Sequence, residues 1–171
     1  MARYAYSTFL ALLLAFGATA RAQETKPDPL APLAHWIGGQ WVTTLKSPNG
    51  EEIRTIRSYE WSLDRRVLIG RSFGERAGKR VQTRYTLFVW NPDSRRIEFT
   101  DVIDQGGFGS GFVEPRDGGL YMEARIVGND KHPHWRAWIT RESDGGESFR
   151  IEAESRGAWA PFGTWVYRRE P

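Results

Sequence analysis

The sequence predicts an all-β protein, namely an antiparallel up-and-down β-barrel of about ten strands with a short N-terminal capping helix. Turn signals rich in Gly, Asn, Asp and Pro divide the chain after Trp41 into ten stretches of about 7 to 12 residues. Apolar and polar residues alternate along several of these stretches, as in strands with one buried face. Gly39-x-Trp41 on the first strand and Arg168-Arg169 on the last suggest that the two ends of the sheet meet.

Residues 1–22 have the layout of a secretory signal peptide. The charge of Arg3 precedes the apolar run 9–16, and Ala20-Arg21-Ala22 supplies the small-x-small pattern of a cleavage site. The apolar run is too short to span a bilayer, which favours a cleaved signal over the alternative, a retained membrane anchor. We therefore predict an exported protein, periplasmic or secreted, that starts near Gln23.

The prolines of residues 23–32 predict a flexible linker, so that the barrel domain comprises residues 33–171. Residues 33–37 offer about one helical turn that ends at Gly38-Gly39, which we expect to close one mouth of the barrel. The chain has no cysteine, which excludes disulfides and thiolate metal sites. Its core must therefore supply its stability.

The charge of the chain does not indicate a nucleic-acid partner or membrane insertion. Removal of residues 1–22 takes away Arg3 and Arg21 and no acid, so the net charge falls from +3 to +1. No cluster of Lys and Arg dominates any segment. The expected partner is a small molecule, and the oligomeric state is left open.

The strands follow one another through short turns, which favours a meander. The turn signals lie at 48–50, 63–65, 76–78, 91–93, 105–107, 116–119, 128–130, 143–146 and 157–161. In the stretch 149–156 the odd positions are apolar or small and the even positions are charged. Ten such strands either close or leave two exposed edges, and closure removes both. A two-sheet sandwich is the alternative, but sandwiches generally need crossover connections.

The opening Trp36-Ile37-Gly38-Gly39-Gln40-Trp41 resembles that of the bacterial lipocalin-like proteins of unknown function within the calycin superfamily, which also includes lipocalins, fatty-acid-binding proteins and nitrobindin-like barrels. Tyr59-Glu60-Trp61-Ser62, the turn at Asp93 and the closing Tyr167-Arg168-Arg169 add to the resemblance, which covers about residues 33 to 169. It implies a barrel with an internal cavity. It also implies that Gly39 and Trp41 pack against Arg168 or Arg169, with the guanidinium stacked on the indole.

Charged residues on inward-facing strand positions are the candidates for ligand binding. Alternation places Arg57 and Tyr59 on one inward face, Arg71 on the next strand and Asp101 on a later one. Arg57 and Arg71 would then clamp a carboxylate, with a hydroxyl from Tyr59 or Tyr85. The alternative is an internal salt bridge between one of these arginines and Asp101, because buried ions usually pair within the protein.

The leading hypothesis is therefore non-catalytic binding of an apolar or amphipathic, anionic molecule in the barrel. Two alternatives remain open. One is an isomerase, cyclase or hydrolase that uses Asp101 as a base with Arg57 and Arg71. The other is a purely structural or interaction domain. No nucleophile elbow, phosphate loop or zinc-protease motif assigns a chemistry, and we predict no catalytic residue.

We predict no cofactor and no metal. Thr43 and Leu45 stand where nitrobindin-type barrels carry glycines. His132 and His134 surround a proline near a turn, and alternation with Trp135 sends both outward, away from a cavity-bound haem. A metal site would also lack enough ligands. His35, next to Trp36, is expected at a mouth of the barrel.

Overall fold

The computed structural model describes residues 28–47, 49–104, 106–128 and 132–171, and these form a closed antiparallel β-barrel of ten strands. Each strand pairs with the next along the chain, and the first pairs with the last. The predicted fold class is confirmed, and the two-sheet sandwich is wrong, because one sheet closes on itself. A 3₁₀ helix, Ala31–Trp36, precedes β1 (Gln40–Lys46), β2 (Glu52–Ser62), β3 (Val67–Arg76), β4 (Lys79–Asn91), β5 (Arg96–Ile103), β6 (Phe108–Arg116), β7 (Gly119–Val127), β8 (His134–Arg141), β9 (Glu147–Ser155) and β10 (Ala158–Glu170).

The packed part of the chain begins earlier than predicted. The predicted signal peptide, residues 1–22, and the linker residues 23–27 lie outside the described residues. Leu30 is buried, and its backbone N–H donates to Oδ1 of Asp28 over 2.9 Å. Residues 28–32 are therefore docked on the barrel rather than part of a free linker. Among the described residues, no helix is long and apolar enough to cross a membrane.

The first and last strands meet through three residue pairs, one of which joins Trp41 and Arg169. The Arg169 guanidinium lies over the Trp41 ring, 4.7 Å from its centroid, whereas Arg168 forms an ion pair with Asp144 over 2.8 Å. Gly39 has φ +74°, and a Cβ there would overlap the carbonyl oxygen of Glu170. The seam therefore requires a glycine two residues before the tryptophan, which accounts for the Gly-x-Trp pattern.

The 3₁₀ helix closes one end of the barrel, here called the base, and the opposite end is called the mouth. Trp36 is buried and donates from Nε1 to Oε2 of Glu147 over 2.9 Å. His35 Nε2 lies 2.5 Å from the other carboxylate oxygen of Glu147. The Trp41 indole in turn donates to the backbone oxygen of Trp36 over 3.0 Å. Glu147, itself 2% exposed, thus ties the helix to the barrel wall.

The base half of the barrel is filled by side chains. Leu33 and Trp36 of the helix pack with inward residues of most strands, and this cluster includes Leu68, Phe88, Ile97, Phe99, Val113, Leu120, Ile139 and Phe149. A barrel of this strand number has more interior than its side chains need. The space that remains lies toward the mouth, where the candidate site is found.

Candidate ligand-binding cavity

A cavity of about 300 Å³ occupies the barrel interior above the filled base. Its floor includes Trp36 and Phe88, and it reaches the surface at the mouth, where the exposed Phe162 lines it. One wall, built by β2 to β5, is mostly polar and includes Arg57, Tyr59, Ser72, Arg84, Thr86 and Asp101, with Ile103 as an apolar member. The opposite wall, built by β7 to β9, is apolar and consists of Met122, Ile126, Trp135, Ala137, Phe149, Ile151 and Ala153.

Arg57 is the cation of the cavity that has no carboxylate partner. Its guanidinium carbon lies 4.6 Å from the ring centroid of Phe149 and 4.2 Å from that of Tyr167. None of the carboxylates in the described residues forms an ion pair with it, and its side-chain hydrogen bond goes to Tyr59. Burial opposes its charge, but Tyr167, Tyr59 and Asp101 outweigh that effect and raise the Arg57 pKa above its usual value. The group is therefore a permanent cation inside the barrel.

Tyr59 lies beside Arg57 on the same inward face of β2. Its ring stacks on the Trp36 indole with centroids 4.9 Å apart. Burial raises the pKa of Tyr59 to about 12, and the nearby Arg57 opposes that shift only in part. The phenol therefore keeps its proton at neutral pH. Tyr59 lines the cavity next to Arg57, and a protonated phenol can both donate and accept a hydrogen bond.

Asp101 faces the cavity from β5 and is 3% exposed. Thr86 on β4 donates its hydroxyl to Oδ1 of Asp101 over 2.5 Å, and Arg84 lies 3.5 Å from Oδ2. The predicted internal salt bridge of Asp101 is thus formed, but with Arg84 rather than with Arg57 or Arg71. The Asp101 side chain is therefore positioned by two polar residues of the neighbouring strand β4.

The inward orientation predicted for Arg71 and Tyr85 is wrong. These two residues are paired across β3 and β4 on the outer face, where Arg71 forms an ion pair with Glu60 over 2.7 Å and lies over the Tyr85 ring. The inward residues of β3 are instead Leu68, Gly70 and Ser72. The inward position 70 is a glycine, and a Cβ there would be only 3.1 Å from Cε1 of the Tyr59 ring. A clamp of Arg57 with Arg71 is therefore not formed.

The outward orientation predicted for His132 is also wrong. Strand β8 begins at His134, so alternation along β8 does not extend to His132, which lines the cavity and packs edge-on against Phe162 at 5.4 Å. His134 is on the outer face as predicted, 2.9 Å from Glu123 and 3.0 Å from Glu154. The prediction that both histidines point away from a cavity-bound haem therefore holds for His134 but not for His132. In the described residues no group of three or more His, Cys, Asp or Glu is arranged to hold a metal ion.

Sequence reasoning missed Arg84, Thr86 and Glu147. Both faces of β4 carry apolar residues, with Phe88 on the inner face and Leu87 and Val89 on the outer face, so alternation alone did not place Arg84 and Thr86 inside. A weak signal was present, because Thr86 shares its parity with Phe88. Glu147 follows a turn at the start of β9, where a carboxylate ordinarily indicates a solvated strand end, and nothing local shows that it binds residues more than a hundred positions earlier.

Comparisons with known proteins support the fold. No protein-family model matches the chain, and no curated protein does. The solved structure of Rv2717c from M. tuberculosis is similar, with a TM-score of 0.56 and 12% sequence identity over 84% of this chain and 98% of that one. A likeness at this identity shows the fold alone. It agrees with the barrel fold described above.

Proposed function

We propose that this protein binds a small amphipathic anion with an aromatic ring in the barrel interior, without changing it chemically. Arg57 carries the proposal, because it is a half-buried cation that faces a cavity and has no carboxylate partner within the described residues. A buried charge is stable when it is paired, so an anionic group of the ligand is the expected partner. The aromatic rings of Phe149 and Tyr167 hold the guanidinium in place for it.

The remainder of the cavity supports a ligand with one apolar side. The apolar wall places Trp135 and Phe149 opposite the polar wall, and Phe88 closes part of the floor. A volume of about 300 Å³ is at the lower end of the range for small-molecule sites. It suits a one-ring or two-ring acid better than a long-chain lipid.

Titration calorimetry with phenylacetate and its neutral amide, phenylacetamide, tests the proposal. We expect the acid to bind more tightly than the amide, and Arg57→Gln to weaken acid binding about tenfold or more, because a hydrogen bond to a charged group is lost. Arg71→Gln is the matched control, since it removes an arginine from the outer face of the neighbouring strand. Thermal unfolding of both variants checks that the barrel is intact.

Equal affinities for acid and amide would contradict the proposal, as would an Arg57→Gln protein that binds the acid like the unaltered one. Native mass spectrometry of protein purified from its own host adds an independent test. A co-purifying anion that is lost from Arg57→Gln but kept by Arg71→Gln supports the proposed site.

We also propose that binding takes place outside the cytoplasm. The support is the pattern of residues 1–22, with its charge, apolar run and Ala20-Arg21-Ala22. Mass spectrometry of the exported fraction should find a protein that starts near Gln23, whereas a cytoplasmic protein that keeps its N-terminus would contradict the proposal.

A further inference from the structure

Asp101 has acceptor capacity toward the cavity that its partners leave unused. Its carboxylate receives one hydrogen bond, from Thr86, and one longer ionic contact, from Arg84. An ionised carboxylate has about four acceptor positions, so at least two remain. The side chain lines the same cavity as Arg57 and is almost entirely removed from bulk water. A donor on a bound ligand is the partner that would use this capacity.

Arg57 and Asp101 line the same cavity from different strands. Direct pairing across β2 to β5 aligns Tyr59, Gly70, Thr86 and Asp101 in one inward row. The Tyr59 ring lies over Gly70, where a Cβ would be 3.1 Å from Tyr59 Cε1, and Thr86 is a small side chain. No large side chain therefore stands between the phenol of Tyr59 and the carboxylate of Asp101 along this row.

The two charged groups come from strands that are three spacings apart. Three strand spacings of about 4.8 Å, and the two residues of β2 that separate Arg57 from the row of Asp101, place their Cα atoms up to about 16 Å apart along the wall. The Arg57 guanidinium lies against Phe149 and Tyr167 of β9 and β10, on the other side of β2 from the strand of Asp101. A molecule that contacts both must carry its two polar groups at opposite ends of a ring rather than on adjacent atoms.

We infer that the anion held at Arg57 also carries a hydrogen-bond donor, a hydroxyl or an amine, at the far end of its ring, and that Asp101 accepts this donor. The inference rests on the proposed function, since Arg57 must first bind the carboxylate. The ligand class is then a para-substituted hydroxy or amino aromatic acid. Asp101 selects among aromatic acids and takes no part in a reaction.

Calorimetry with matched acids tests this inference. We expect 4-hydroxyphenylacetate to bind about tenfold more tightly than phenylacetate, because a hydrogen bond to a buried carboxylate is gained. The isomer 2-hydroxyphenylacetate should gain little, since its hydroxyl lies beside the carboxylate. The comparison with 4-aminophenylacetate separates a preference for a hydroxyl from a preference for an amine, and both outcomes support the inference.

Asp101→Asn should remove most of the preference for 4-hydroxyphenylacetate over phenylacetate, because a neutral amide is a weaker acceptor than a carboxylate. The readout is the ratio of the two affinities within the variant, since the loss of the Asp101 charge leaves Arg84 without its ionic partner and changes the affinity for every anion. Glu60→Gln is the control, a carboxylate replaced on the outer face. Equal binding of phenylacetate and 4-hydroxyphenylacetate to the unaltered protein would overturn the inference and leave the anion site standing. So would a preference that survives in Asp101→Asn. If neither acid binds, the proposed function itself fails. If Asp101→Asn does not fold, the comparison of phenylacetate with 4-hydroxyphenylacetate in the unaltered protein still tests the inference.

Discussion

Removal of the Glu147 carboxylate should detach the 3₁₀ helix from the base of the barrel. Trp36 is 1% exposed and donates its indole N–H to Glu147, so Glu147→Ala leaves a buried donor without its acceptor. Such an orphaned donor costs about 1–3 kcal/mol, and a hydrogen bond to a charged group contributes about 1.5–3 kcal/mol. The two figures count part of the same loss, so they are not fully additive. We therefore expect the free energy of unfolding to fall by about 2–4 kcal/mol.

The His35 contact predicts that Glu147→Gln is far milder. His35 Nδ1 lies 2.9 Å from the carbonyl oxygen of Pro32, which only accepts, so Nδ1 carries a hydrogen. A proton must then lie between Nε2 and the carboxylate of Glu147, which are 2.5 Å apart. The amide of Glu147→Gln supplies that hydrogen from its own NH₂ group and still accepts from Trp36. We expect a cost below about 1 kcal/mol.

Urea unfolding followed by circular dichroism measures both changes, with Glu142→Ala as the control because Glu142 is exposed near the same turn. Hydrogen exchange over residues 31–36 reports directly on the helix, and it should speed up in Glu147→Ala alone. The reasoning is refuted if Glu147→Ala costs less than about 1 kcal/mol. It is also refuted if the amide variant is as damaging as the alanine variant.

Gly111→Ala should destabilise the barrel by about 3 kcal/mol or more, because the new Cβ would overlap the Glu123 carbonyl oxygen and come within 2.7 Å of Ala124 Cα. Gly107→Ala is the control, with its nearest contact at an ordinary 3.6 Å, and similar urea midpoints for the two variants would contradict the packing described here. The raised pKa of Tyr59, about 12 against 10.0, means that the folded state holds this proton more strongly than the unfolded chain does. Its contribution is complete below pH 10 and is lost as the pH rises toward 12. The unfolding free energy of Tyr59→Phe should therefore fall less over that range, and an identical slope would show that Tyr59 ionises normally.

The orientation of a strand could be predicted from sequence where one face is clearly more polar. In β5, Ile97, Phe99 and Asp101 share an inward face as predicted, because the residues between them are mostly polar. The inward carboxylate of this strand accepts a hydrogen bond from Thr86. Strand β3 is apolar on both faces. Its outer residue Phe73 is covered by the Arg80 guanidinium at 4.1 Å, a contact that depends on pairing with β4.

Alternation in the sequence correctly placed two residues of the candidate site, Arg57 and Asp101, inside the barrel. It did not show which arginine forms the ion pair with Asp101. Asp101 pairs with Arg84, which lies on the inner face of β4 together with Thr86 and Phe88. The outer face of β4 also carries apolar residues, Leu87 and Val89, so alternation alone does not show which face is inward.

Because β1 pairs with β10, the barrel can close only after the last strand has been synthesised. Each strand can pair with the next as it emerges, but the second edge of β1 waits for β10, which is made more than a hundred residues later. Until then β1 presents an open edge, and Trp41 lacks the guanidinium that covers it. Closing so long a loop is slow. The interval before closure is therefore the time when the chain is most exposed to aggregation, and when chaperones have the most to recognise.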